Sequence, residues 1–201
     1  MKPPDVVIVA SGGANVASLQ FAIDRLGVVS QLSSDAGRIA AATHVILPGV
    51  GAAADAMARL QSSGLDQVIP QLRQPVLGIC LGMQLLFESS EEGNTPCLRI
   101  IPGVARRIGN GPGRPVPHMG WNTISIEREG PLTAGLSSGA DYGYFVHSYA
   151  VDVGAATLAT TDYGYAFSAC VQWRNFYGAQ FHPERSAAAG ARLLRNFLEL
   201  A

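Results

Sequence analysis

Pro75-Val76-Leu77-Gly78-Ile79-Cys80-Leu81-Gly82-Met83-Gln84-Leu85-Leu86-Phe87 is an apolar run that changes character at its cysteine. Pro75 to Ile79 has the length and unbroken hydrophobicity of a strand buried on both faces, and a helix is expected to begin near Leu81. Cys80 therefore sits where a strand stops and a helix starts. Its neighbours Gly78 and Gly82 complete the Gly-x-nucleophile-x-Gly form of an elbow, in which a sharp turn projects the side chain and small residues let backbone and substrate come close. The free amides of a helix N-terminus also stabilise a thiolate. Cysteine is a common core filler, and that is the reading for Cys97 and Cys170, which lack such a setting. For Cys80 the elbow favours a nucleophile.

The same β-then-α texture lies upstream. Val6 to Ala10 is followed by a glycine turn and by Val16, Leu19, Ile23 and Leu26 on one helix face, with Gly27 as a stop. His44 to Leu47 is followed by an Ala-rich helix from Ala52. Such alternation predicts an α/β fold: one open, mostly parallel twisted sheet with helices on both faces. From about Leu98 the chain turns to Pro, Gly and aromatic residues. Strand-like pieces at 122–126, 142–146, 167–173 and 177–181 are expected as antiparallel additions to that sheet. A last amphipathic helix uses Leu193, Leu194, Phe197 and Leu198 as its apolar side. Residues 1–201 are expected to make a single domain.

Gly178-Ala179-Gln180-Phe181-His182-Pro183-Glu184 reads as a strand ending in a His-Pro-Glu loop. In open parallel sheets ligands bind at the carboxyl edge, where both His182 and Cys80 would emerge. Glu184 is placed to bond the far ring nitrogen of His182, fixing its tautomer and stabilising the imidazolium, so Cys80, His182 and Glu184 form a candidate triad. His44, His118 and His147 have no carboxylate at this spacing. Leu47-Pro48-Gly49-Val50-Gly51-Ala52 is a glycine-bounded turn before a helix. The backbone amides of Val50 and Gly51, together with that of Leu81, are candidate donors to the oxyanion of a tetrahedral intermediate at Cys80.

Bulk properties exclude several classes. With 48% hydrophobic and 14% charged residues, 201 residues suffice for one buried core. A net charge of −1 offers no basic field for nucleic acid or an anionic membrane. Three irregularly spaced cysteines fit neither a disulfide framework nor a paired-cysteine zinc site, and no apolar run reaches the length of a membrane span or signal core. A soluble, cytoplasmic protein without metal or cofactor is expected.

Pro-Gly-Val-Gly at 48–51, Gly-Ile-Cys-Leu-Gly-Met-Gln at 78–84 and Phe-His-Pro-Glu at 181–184 together resemble the class I, triad-type glutamine amidotransferases. Pro-His-Met-Gly-Trp-Asn at 117–122 and Tyr-Phe-Val-His-Ser-Tyr at 144–149 resemble the branch of that family serving histidine biosynthesis. The resemblance runs over nearly the whole chain. It implies hydrolysis of L-glutamine to glutamate and ammonia, and a heterodimer in which a separate (β/α)₈-barrel cyclase subunit receives the ammonia. It further implies that Gln84 and Glu92 hold the amino-acid head of glutamine, and that His118, Trp121 and Asn122 lie toward the cyclase and the ammonia passage. The chain departs from the family at Ala10-Ser11-Gly12-Gly13-Ala14-Asn15, where polar loop residues are largely missing. It departs again at Arg185, where lysine is common and a planar fork replaces a point charge. Another amidotransferase of the class, a thiol peptidase, and a binding subunit without catalysis are the competing readings.

Overall fold

The structure is a computed structural model and describes residues 3–11 and 16–200. Asn15 and the rest of the 12–15 loop lie outside the described residues. The elements run β1 (Val6–Val9), α1 (Val16–Asp24), β2 (Ser30–Ser33), α2 (Ala36–Ala41), β3 (His44–Leu47), α3 (Ala53–Ser62), α4 (Leu65–Val68), β4 (Val76–Ile79), α5 (Leu81–Gln84) and β5 (Phe87–Ser90). They continue with β6 (Thr95–Pro96), β7 (Ile101–Arg107), β8 (His118–Thr123), β9 (Ser125–Ile126), β10 (Tyr142–His147), β11 (Tyr149–Val151), β12 (Thr157–Asp162), β13 (Ala166–Trp173), β14 (Phe176–Ala179) and α6 (Ala187–Leu198).

The main sheet has the order β2-β1-β3-β4-β14-β13-β12-β9. Strands β2, β1, β3, β4 and β14 are parallel, whereas β13, β12 and β9 are added antiparallel. The period of two along each strand divides the core in two. Val7, Val9, Val45 and Leu47 face one way, against Ile39 of α2 and Ala56, Met57 and Leu60 of α3. Val6, Ile8, Ile46, Leu77 and Ile79 face the other way, against Leu19 and Ile23 of α1 and Leu193, Leu194, Phe197 and Leu198 of α6. Both faces are therefore covered, as continuous apolar runs in parallel strands require.

Three expectations need correction, and a fourth feature was not expected at all. First, residues 177–181 do not add antiparallel to the neighbouring parallel strand: β14 runs parallel to β4, in register Ala179 with Ile79. The reversal falls one strand later, because β13 and β14 form a tight hairpin, Trp173 opposite Phe176, turned by Arg174 at φ 55°. Second, β10 leaves the main sheet and pairs with β8 as a separate ribbon, Tyr142 opposite Thr123 through His147 opposite His118. Third, the single strand expected at 122–126 is split between β8 in that ribbon and β9 at the sheet's edge. Fourth, a further four-stranded sheet, β11-β7-β5-β6, covers ground where the residue pattern signals no element. The polar edge strand β2, Ser-Gln-Leu-Ser, was likewise unsignalled by periodicity.

Candidate active site

Three adjacent parallel strands converge on one edge. Leu47 at the end of β3 is in register with Gly78 of β4, and Ala179 at the end of β14 with Ile79. The chain leaves β3 into the Pro48–Ala52 turn, β4 into Cys80, and β14 toward His182. Local pairing alone thus brings together the expected donor turn, nucleophile and base.

Cys80 adopts φ 53° and ψ −113°, a conformation that costs a non-glycine residue roughly 1–3 kcal/mol. It is held there by its own amide, which donates to Ala179 O at 2.8 Å, and by its carbonyl, which accepts from Met83 N at 3.1 Å and Gln84 N at 3.2 Å. The following glycine is a packing necessity, since a Cβ on Gly82 would overlap the Leu47 carbonyl of the neighbouring strand. Helix α5 has only four residues before Leu85 and Leu86 turn the chain into β5. The stabilisation expected from a helix N-terminus therefore reduces to the free amides of a single turn rather than a long aligned dipole.

The Cys80 side chain opens on a cavity of about 370 Å³ that is also lined by Val50, Gly51, Leu81, Gln84, Glu92, His182 and Glu184. The His182 backbone is fixed at both ends: its amide donates to Tyr144 O at 2.9 Å, and its carbonyl accepts from Ser186 Oγ at 2.7 Å, which in turn accepts from Tyr144 N at 2.9 Å. Its Nδ1–H donates to Glu184 Oε1 at 2.9 Å, with both side chains nearly buried, which leaves Nε2 for the cavity. Burial opposes the imidazolium, but hydrogen bonds and charge from Cys80 and Glu184 together outweigh it and raise the His182 pKa to about 10. An imidazolium held at neutral pH stabilises a thiolate beside it and carries a proton that a leaving group can take. Sγ lies 3.7 Å from Val146 O and 3.8 Å from Gln180 Nε2.

Among the described residues, the amides of Val50, Gly51 and Leu81 donate to no other group. The turn that carries the first two is clamped at both ends. Ser11 Oγ donates to Pro48 O at 2.9 Å, and Glu92 Oε2 accepts from Ala53 N at 2.7 Å, while Arg59 Nε steadies Ser11 through its carbonyl at 2.8 Å. Between the clamps Gly51 takes φ 87°. Glu92 thus has one oxygen committed to α3 and one left over. Gln84 is similar: both hydrogens of Nε2 are used, by Tyr149 O at 2.7 Å and Gln180 Oε1 at 3.0 Å, so only its oxygen is available. What these two side chains offer the cavity is acceptors, which suits a ligand ammonium.

A family model for class-I glutamine amidotransferases matches residues 11–201. The chain belongs to the class-I glutamine amidotransferases. It is 53% identical over 196 residues to the imidazole glycerol phosphate synthase subunit HisH of Xylella fastidiosa, covering 98% of each chain. It is 52% identical over 197 residues to the protein of the same name from Xanthomonas campestris pv. campestris, again covering 98% of each. Solved structures similar in fold include one described as a glutamine amidotransferase, with TM-score 0.76, 20% identity, and coverage of 96% of this chain and 97% of that one. A second, a glutamine amidotransferase from Thermotoga maritima, has TM-score 0.65 at 15% identity, covering 98% of this chain and 83% of that one.

In this amidotransferase the other two cysteines are poor competitors for an electrophile. Burial pushes Cys97 up to about 11 and Cys170 up to about 12. A glutamine analogue bearing an electrophile is expected to label Cys80 first, since reactivity follows thiolate character and access. Peptide mapping that finds Cys97 or Cys170 modified at the earlier time points would remove Cys80 from its role.

The residues expected toward a partner divide. Trp121 is 54% exposed, edge-on to Tyr144 at 5.7 Å, and Arg185 lays its guanidinium 4.5 Å over the Tyr144 ring. The planar fork that departs from the family's lysine therefore has an aromatic to stack on. Asn122 is half-buried and bonded to Asp162 O. His118 is only 3% exposed and does not reach the surface, because β8 turns it inward beneath Tyr163. Sequence reasoning missed Ser11, Gln180 and Tyr149 altogether. Gln180 did leave a trace as a lone amide in an apolar strand end, but Ser11 and Tyr149 act through partners distant in sequence.

Proposed function

We propose that the chain is the glutaminase subunit of imidazole glycerol phosphate synthase. In this reading it hydrolyses L-glutamine in the cytoplasm and passes the ammonia to a separate (β/α)₈-barrel cyclase subunit of histidine biosynthesis. The observation that carries this is one cavity holding Cys80, the His182–Glu184 pair and three unused amides. The 51–53% identical relatives, each named as a subunit of imidazole glycerol phosphate synthase, support the choice of synthase and the existence of a partner.

Glutamine enters with its ammonium toward the free oxygens of Gln84 and Glu92. The Cys80 thiolate adds to the side-chain amide carbon, and the oxyanion is taken by the amides of Leu81 and of Val50 or Gly51. The intermediate collapses to a γ-glutamyl thioester as the carbon–nitrogen bond breaks, and the leaving nitrogen takes the proton held on His182 Nε2, departing as ammonia. His182, now neutral, draws a proton from water, whose oxygen attacks the thioester and frees glutamate. Glu184 keeps the imidazole in one tautomer throughout.

An amidotransferase that hydrolysed glutamine freely would lose ammonia, so a partner-dependent state is expected, and the turn between its two clamps is where it can reside. If the free chain presents the donor amide about 1% of the time, a partner favouring that state by about 3 kcal/mol raises turnover roughly a hundredfold. The test is glutamate production with and without a purified cyclase partner and its nucleotide substrate. Stimulation of that order is expected. Equal rates for the free chain and the complex would mean that the donor turn is preformed, and no glutamate under either condition would end the glutaminase reading.

A further inference from the structure

Gln180 is a buried polar residue that the chemistry above does not use. It follows β14 at 0% exposure, between the apolar Ala179 and Phe181, a position where an aliphatic side chain would ordinarily pack. Burying an amide there is unfavourable unless its hydrogen-bonding groups are met. Among the described residues its side chain bonds to no backbone group of the fold: its partners are Gln84 and the sulfur of Cys80.

The orientation of both amides follows from one carbonyl. Tyr149 O can only accept, so the Gln84 atom lying 2.7 Å from it is Nε2. The same nitrogen donates to the Gln180 side chain at 3.0 Å, so the Gln180 atom facing it is the acceptor, Oε1. Gln180 Nε2 is thereby turned toward Cys80 Sγ, at 3.8 Å.

Two polar groups beside Sγ have opposite preferences. Val146 O, at 3.7 Å, can only accept and so favours the thiol, whereas Gln180 Nε2 donates and so favours the thiolate. A hydrogen bond to a charged atom is about twice as strong as one between neutral groups, so the Gln180 contact strengthens when the sulfur ionises, while that of Val146 is lost. Gln84 adds a link. Its oxygen is the atom left for the ammonium of glutamine, and polarising that oxygen makes Gln84 Nε2 the better donor to Gln180. Gln180 in turn becomes the better donor to Sγ.

We infer that Gln180 is the donor that holds Cys80 ready as a thiolate and that Gln84 aims it, so that a relay of two amides joins the ammonium end of the substrate site to the nucleophile. This rests on the glutaminase reading above. The experiment follows the rate at which iodoacetamide, a small uncharged alkylating agent, modifies Cys80 in the full chain between about pH 5 and about pH 10, read by peptide mapping. In Gln180→Met, which keeps the length but has no donor, the midpoint of the rate against pH is expected to rise by about one unit, with reaction below the midpoint roughly tenfold slower. Gln84→Met leaves Gln180 in place but unaimed, and its midpoint is expected to rise by about half a unit. It alters no group touching the sulfur, so it carries the test where Gln180→Met does not fold. Glutamate release by the complex with the cyclase partner is measured beside it. The kcat/KM deficit of Gln180→Met is expected to be largest at low pH and to close as pH rises, because alkaline solution restores the thiolate, whereas a loss of packing would be felt equally at every pH. An unchanged midpoint in either variant overturns the relay, as does a deficit that does not vary with pH. A wild-type complex that forms no glutamate would instead overturn the glutaminase reading, since alkylation requires no glutamine.

Discussion

Replacing Cys80 with alanine is expected to lower glutamine hydrolysis about a million-fold, the size of loss seen when a hydrolase triad loses its nucleophile. The expectation follows from how completely the site is built around one sulfur. The strained φ of 53° is maintained by backbone bonds from β14 and the following turn, and neither involves Sγ, so the variant keeps the elbow while losing the nucleophile. Alanine also leaves Val50, Gly51 and Leu81 in place, so glutamine binding is expected to survive. The measurement is glutamate release by the complex, beside cyclised product formed from ammonium salt. The first should vanish and the second persist, because added ammonia needs no thioester. Residual hydrolysis within a hundredfold of wild type would mean that water attacks glutamine directly at this site.

How much of this was legible in the sequence depended on the range of the interaction concerned. The elbow is local: strand, glycine, cysteine and glycine follow one another, and the steric reason for Gly82 lies one strand away, in the Leu47 carbonyl. The parallel half of the sheet was legible because its strands β1, β3 and β4 are apolar on both sides. The position of β14 was not, since an apolar run carries no direction, and pairing antiparallel with β13 does not say that the other neighbour is the parallel strand β4. Strand β10 alternates buried and partly exposed residues as any antiparallel strand would, and nothing in that pattern says that its partner is β8 rather than the main sheet. The helix after Cys80 begins at Leu81 as expected, but where it ends was not legible, because Leu85, Leu86 and Phe87 continue an apolar pattern that fits both states.

Within the candidate site the same division holds. Cys80, His182 and Glu184 are marked by motifs whose members sit within two residues of what they need. The clamps on the donor turn are not, because Ser11 meets Pro48, and Glu92 meets Ala53, only after β1, β3 and the second sheet have been assembled. Glu92 was expected at the substrate head. Its bond to Ala53 adds a second task, holding the start of α3 and with it the end of the turn that presents the oxyanion donors.

Glu184→Gln is expected to lower hydrolysis by about ten-thousand-fold, less than loss of Cys80 by roughly a hundredfold, because an orienter supports a base that still exists. Glu184 Oε1 accepts from His182 Nδ1–H at 2.9 Å, while Oε2 is buried without a partner among the described residues. An amide in this position must choose. With its oxygen toward Nδ1–H, the NH₂ group is buried unsatisfied and the imidazolium loses a neighbouring charge; with its NH₂ toward Nδ1, the ring is forced to carry its proton on Nε2 and cannot act as base. The pH dependence of stability separates charge from packing. His182 has a folded pKa raised from 6.5 to about 10, so the imidazolium's stabilisation is fully present below about pH 6.5 and is lost as pH rises through 10. Glu184→Gln removes part of that contribution, so its deficit in melting temperature against wild type is expected to be largest near pH 6 and to shrink toward pH 10. A deficit independent of pH over this range would show that Glu184 acts by filling space, and activity within tenfold of wild type would show that His182 needs no orienter.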